Sequence, residues 1–182
     1  MPKDRPAKGG AKSIYIPQGE YGVSDDPDTF FTTVLGSCIS TCLRDPKTGV
    51  GGINHFMLPG GGESDGAGVM YGVNSMELLI NGLLGKGASR GRLEAKVFGG
   101  AGILGISKQI GDANAAMAKE FLSKEGIPIQ SISVGGRDAR RIQYWPATGR
   151  ARQQIIDAAK APEAMEPPAP APKRADEDIE FF

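Results

Sequence analysis

Reactive side chains are scarce in this 182-residue chain, which has two cysteines, Cys38 and Cys42, and one histidine, His55. One histidine and no C-x-x-C pair argue against a structural zinc site, and no metal is expected. Four residues along an extended strand separate the two cysteine Cα atoms by about 13 Å, beyond disulfide reach, so free thiols are expected. Net charge is also missing: 21 Lys plus Arg balance 21 Asp plus Glu. No global field draws the chain to nucleic acid or to an anionic membrane. Long apolar runs are lacking too. The stretches present, the one ending at Leu84 among them, fall far below the roughly 18 residues that span a bilayer, and the N-terminus has no apolar signal core. A cytoplasmic protein is the expectation.

Glycine is plentiful, 27 of 182, about twice the usual share of roughly 7 per cent, and falls into no repeat period. Residues 1–12 hold Lys3, Arg5, Lys8 and Lys12 against Asp4, which reads as a disordered basic arm. Residues 161–182 combine five prolines with the acids Asp176, Glu177, Asp178 and Glu180, the composition of an extended tail, and its Ile179, Phe181 and Phe182 would suit a docking peptide. One domain over residues 13–160 is left between them. Met76, Leu79, Ile80, Leu83 and Leu84 repeat at helical spacing behind Asn74 as a cap, and a second helix is predicted over 113–124 behind Asp112. Strand character marks 13–17, 31–35, 39–44, 50–58, 95–98, 129–134 and 140–145. The pattern predicts an α+β layered single domain, a mixed or antiparallel β-sheet covered by helices.

The chemistry concentrates between Thr32 and Pro59. Asp45-Pro46-Lys47-Thr48-Gly49 is turn chemistry between two strands, so 39–44 and the strand after Val50 form a hairpin. Opposed residues in such a hairpin have numbers with a constant sum. A sum of 93 sets Cys38 against His55. A sum of 95 sets Cys38 against Met57, with His55 the diagonal neighbour on the same face, and an even sum would separate them. Either odd register brings a thiol and an imidazole together as a nucleophile-base pair, with the imidazole lowering the thiol pKa and the thiolate attacking carbonyl carbon. Cys42, in mid-strand among apolar neighbours, reads as core. No Asp or Glu lies near in sequence to orient the ring, which leaves a hydroxyl of Thr32, Thr33 or Ser37. The pairs Gly51-Gly52 and Gly99-Gly100 read as turns and close packing, since the Lys-Ser/Thr of a phosphate loop is missing. The stretch 60–68 reads as a loop beside the site.

The string Thr32 with L-G-S-C at 35–38, then G-G-I-N-H-F-M-L-P at 51–59, closely resembles the CheD family of chemoreceptor glutamine deamidases. K-V-F-G-G-A-G at 96–102, V-G-G at 134–136 and R-R-I-Q-Y-W-P-A-T-G-R-A at 140–151 extend the resemblance over nearly the whole core. It implies hydrolysis of glutamine side-chain amides in methyl-accepting chemotaxis proteins, giving glutamate and ammonia through a cysteine thioester and without a cofactor. The family's nucleophile carries over to Cys38, its general acid and base to His55, and the residue that orients the imidazole to Thr32. The resemblance also implies association with the phosphatase CheC. Two other classes compete with this reading: a different Cys-His acyl-transfer enzyme, told apart by peptide cleavage or amine incorporation, and a binding module that holds a CheC-type partner.

Overall fold

The computed structural model describes residues 10–59, 66–103, 108–157 and 159, so most of the basic arm, part of the 60–68 loop and the acidic tail lie outside it. Nine strands and two α-helices follow one another in these residues: β1 (Lys12–Tyr15), β2 (Tyr21–Ser24), β3 (Thr29–Leu35), β4 (Ile39–Arg44), β5 (Gly51–Asn54), α1 (Gly66–Gly85), β6 (Glu94–Gly99), α2 (Lys108–Lys124), β7 (Ile129–Val134), β8 (Ala139–Trp145) and β9 (Arg150–Ile156). The α+β layered class stands, with two sheets where one was expected. A four-stranded sheet runs β1-β3-β8-β9 and a five-stranded sheet β2-β5-β4-β6-β7. Both are mixed, since β1 lies parallel to β3 and β7 parallel to β6 while the other pairings are antiparallel.

Alternation along β4 divides the interior. Its Ile39 and Leu43 face the helices in a core with Met76, Leu79, Ile80, Leu83, Phe121 and Leu122. Cys42, with Cys38 just ahead of the strand, lies in the second core between the sheets, among Phe31, Leu35, Ile53, Ile142 and Tyr144. The molecule is therefore three layers: sheet, sheet, helices. The chain passes from the first sheet to the second in only three residues, Gly36-Ser37-Cys38, between β3 and β4.

Both helices begin earlier than their sequence signals. Asn74 and Asp112 lie inside α1 and α2 and not at their caps. In α1 the extension uses glycines that resemble a loop in sequence: a Cβ at Gly72 would meet Leu58 and Met117 at 2.8 Å, so its absence is what lets α2 close against this face. In α2 the first turn is supported by the Lys108–Asp112 ion pair at i,i+4. Strands β2 and β9 were not anticipated. β2 is short and contains Gly22, and β9, an edge strand reading R-A-R-Q-Q-I-I, is mostly exposed. No helix among the described residues is long and apolar enough to cross a membrane.

Candidate active site

The β4–β5 hairpin closes as its turn residues dictate. Asp45 N–H donates to the Val50 carbonyl, Gly49 N–H to the Asp45 carbonyl, and Lys47 N–H to Asp45 Oδ1. Its pairs Arg44–Gly51, Leu43–Gly52 and Cys42–Ile53 share the sum of 95, and Ile39–Phe56 continues it beyond the strand. Of the two odd registers this is the one that opposes Cys38 to Met57. The Cys38 Sγ accordingly lies 4.0 Å from Met57 Sδ. His55 is the next residue along on the same face, directly opposite Ser40.

The segment that carries Cys38 is braced by its carbonyls. Gly36 C=O accepts from Ala101 N–H at 2.9 Å and Cys38 C=O from Gly100 N–H at 2.7 Å. Ser37 C=O accepts from Asn114 Nδ2 at 2.7 Å. Fully buried Asn114 also accepts from Leu58 N–H, so one side chain of α2 ties the segment that carries Cys38 to the chain just beyond His55. Gly99 sits at φ +117°, and a Cβ there would strike the Cys38 carbonyl. This confirms close packing as the purpose of the 99–100 glycine pair. With the three carbonyls engaged, the N–H of Ser37 has no hydrogen-bond partner among the described residues, and that of Cys38 meets only its own sulfur.

His55 is 3% exposed and held from one side only. Its Nδ1 is 3.1 Å from the Ile16 carbonyl and 2.9 Å from Thr33 Oγ1, and Thr33 Oγ1 itself donates to the Ile16 carbonyl at 2.8 Å. A carbonyl can only accept, so Nδ1 carries the ring proton and Nε2 the lone pair. Nε2 is buried and has no partner among the described residues, as is true of the Ser40 hydroxyl opposite. Burial lowers the imidazole pKa, against a smaller opposite effect of the Ile16 carbonyl.

The hydroxyl that meets the ring is that of Thr33, the neighbour of the Thr32 to which the resemblance carries the orienting role. The reason is the period of two in β3: Phe31, Thr33 and Leu35 turn into the space between the sheets, and Thr32 points the other way. The thiol departs from expectation as well. Cys38 is 2% exposed, and desolvation pushes its pKa up to about 11, where an imidazole neighbour was expected to lower it. The thiol is a hydrogen-bond donor to Gln18 Oε1 at 3.2 Å, not to His55. Cys42 is a fully buried free thiol whose pKa burial raises, in keeping with a core role. Gln18 and Asn114 escaped the sequence reading. Gln18 belongs to a turn signal, Pro17-Gln18-Gly19, and nothing in the sequence ties it to residues twenty positions on.

The described geometry is a neutral thiol and a neutral imidazole, its Nε2 without a partner among the described residues, on one face of a hairpin beside the backbone donors of Ser37 and Cys38. Comparison with known proteins gives this arrangement its class. The chain belongs to the CheD family: the family model described as CheD chemotactic sensory transduction matches residues 57–154. Among curated relatives, it is 54% identical over 176 residues to a probable chemoreceptor glutamine deamidase CheD of Agrobacterium fabrum, covering 94% of this chain and 97% of that protein. It is 52% identical to the protein of the same name in Caulobacter sp., with 96% and 95% covered. The relative in Rhizobium rhizogenes is 51% identical, with 94% and 97% covered.

Proposed function

We propose that this chain is a cytoplasmic chemoreceptor glutamine deamidase in which Cys38 is the nucleophile and His55 the general acid and base. The observation that carries this is the His55 ring, whose Nδ1 is fixed as a donor by the Ile16 carbonyl and Thr33 while Nε2 has no partner among the described residues, in a hairpin register that sets His55 on the face that bears Cys38. Family membership supports the same reading.

In the proposed reaction Nε2 takes the thiol proton as sulfur bonds to the side-chain carbon of a substrate glutamine. The amide oxygen becomes an oxyanion within reach of the Ser37 and Cys38 N–H groups. The C–N bond breaks, the imidazolium gives its proton to the departing nitrogen, and ammonia leaves a thioester on Cys38. Water, deprotonated by Nε2, attacks the thioester and releases glutamate, and the proton returns to sulfur. Thr33 positions the ring by its hydrogen bond. A raised thiol pKa is compatible with this order of events, because proton transfer accompanies attack and no standing thiolate is needed. Methyl-accepting chemotaxis proteins are the proposed substrates. Association with a CheC-type phosphatase is part of the proposal and rests on the resemblance.

The test is mass spectrometry of receptor peptides incubated with the full chain or with its Cys38→Ala variant. Conversion of glutamine to glutamate by the parent and none by the variant is expected. Equal conversion by both would refute Cys38 as nucleophile, and peptide cleavage or amine incorporation in place of ammonia release would refute the deamidase.

A further inference from the structure

The thiol proposed to attack a glutamine carboxamide already holds one. Gln18 sits at the tip of the turn between β1 and β2, where Glu20 N–H donates to the Pro17 carbonyl at 3.1 Å. The turn is fastened to the backbone of His55 on both sides: Gly19 N–H donates to the His55 carbonyl at 2.7 Å, and His55 N–H to the Glu20 carbonyl at 3.0 Å. Gln18 is thereby anchored beside the general base. Its side chain crosses to the nucleophile, and Oε1 accepts from Cys38 Sγ at 3.2 Å.

The pose is that of a bound carboxamide which is not attacked. Attack requires the thiol proton on His55 Nε2 and the amide oxygen turned to the N–H groups of Ser37 and Cys38. Here the amide oxygen faces the sulfur, the thiol keeps its proton in that hydrogen bond, and Nε2 has no partner among the described residues. Gln18 is otherwise exposed, and the bonds that fasten its turn are made by backbone groups, so its side chain can swing into water without disturbing β1, β2 or His55.

We infer that Gln18 is an internal occupant of the subsite that takes the substrate's glutamine carboxamide, and that an incoming glutamine displaces it. The inference rests on the deamidase reading and names the subsite: Cys38 Sγ, His55 Nε2 and the Ser37–Cys38 amides. Because the occupant is tethered, it competes at a fixed effective concentration, which raises the apparent KM and leaves kcat alone.

The full chain, Gln18→Ala and Gln18→Met are compared in two assays. The first is the rate at which iodoacetamide, itself a small primary amide, alkylates Cys38, with Cys42 as the internal control. The second is ammonia release from a glutamine-containing receptor peptide. Both variants are expected to alkylate faster at Cys38 by a factor of roughly 3 to 10, the population change that one net hydrogen bond allows, and to lower KM by a like factor at unchanged kcat. A Gln18→Met protein as slow as the parent in both assays would show that the residue merely covers the thiol and would overturn the inference. So would conversion of residue 18 to glutamate in the parent but not in Cys38→Ala, since the occupant would then be a substrate. Equal alkylation and equal KM in all three proteins, with ammonia still released, would remove the inference and leave the deamidase. Separated alkylation rates with no ammonia from any protein would remove the deamidase and leave Gln18 as the group that holds the thiol.

Discussion

His55 illustrates how a single ring can be committed to one role by what surrounds only one of its nitrogens. The Ile16 carbonyl and Thr33 hydroxyl fix the proton on Nδ1, and the interior around Nε2 offers no partner among the described residues. Burial lowers the imidazole pKa and raises that of Cys38 to about 11, so the resting pair is uncharged across the neutral range. The two shifts have opposite consequences for stability. The raised thiol contributes stability that is fully present below its ordinary pKa of about 8.5 and is lost as pH climbs toward 11. The lowered imidazole contributes stability present above about 6.5 and lost as pH falls through its native value. Turnover is expected to stay level across the neutral range and to fall as pH drops through the lowered native pKa of His55, where Nε2 is protonated and cannot take the thiol proton; a rate that climbs across neutral pH would point to a standing thiolate instead. Thr33→Ala should lower kcat about tenfold without abolishing it, because the Ile16 carbonyl still holds Nδ1 and the ring loses only one of its two hydrogen bonds. Thr33→Ser should restore the rate, and Thr32→Ala should cost less than Thr33→Ala. The reverse order in a kcat series over pH would return the orienting role to Thr32. That choice between neighbours was beyond the sequence, where both threonines fit and only the facing of β3 decides.

The β4–β5 hairpin delivers His55 to the right face, and its register depends on Asp45. This carboxylate is wholly buried, accepts from Lys47 and Ser89 N–H groups, and takes paired hydrogen bonds from Arg92. The Arg92 guanidinium holds the Asp45 carboxyl well below the usual carboxylate range, with the two backbone donors adding to it and burial opposing. A depressed carboxyl stabilises the fold above the ordinary value of about 4, and that stability is lost as pH falls through the native one. Asp45→Ala is expected to destabilise by about 2–4 kcal/mol, since buried N–H groups and Arg92 lose their acceptor. Urea melts should then show the gap between parent and variant narrowing below pH 4; a gap that persists there would deny the ionised carboxylate its role. At this scale the sequence was most informative. Asp-Pro-Lys-Thr-Gly announced the turn, while the register, odd or even, was settled only by the strand pairing. It was least informative at the helix starts, because α1 begins in a glycine-rich stretch and Gly72 fits there through the close approach of Met117 in α2, a tertiary contact with no local signal.

The two sheets matter to the proposed function because the proposed site is divided between them. Thr33, in β3, and the Ile16 carbonyl, just beyond β1, come from the four-stranded sheet; Cys38 and His55 flank the hairpin of the five-stranded one. A reading that expected a single sheet could find these residues but not the seam that joins them. Consecutive strands separated by three residues look like neighbours, and only the long-range β3–β8 and β4–β6 pairings place β3 and β4 in different layers. The orientation of His55 therefore depends on how tightly the sheets pack, whereas the helix layer supports the hairpin from its far side. Ile142 and Leu122 separate these contributions. Both are fully buried, Ile142 between the sheets and Leu122 between sheet and helices. Truncation of either to alanine should cost about 3–4 kcal/mol. Measured well below both melting temperatures, Ile142→Ala should lower kcat, because slack at the seam loosens Thr33 and Ile16 against the ring, and Leu122→Ala should keep the parent value. Equal kcat in the two variants at equal stability loss would show that the seam positions nothing, and the ring would then owe its orientation to its own strand.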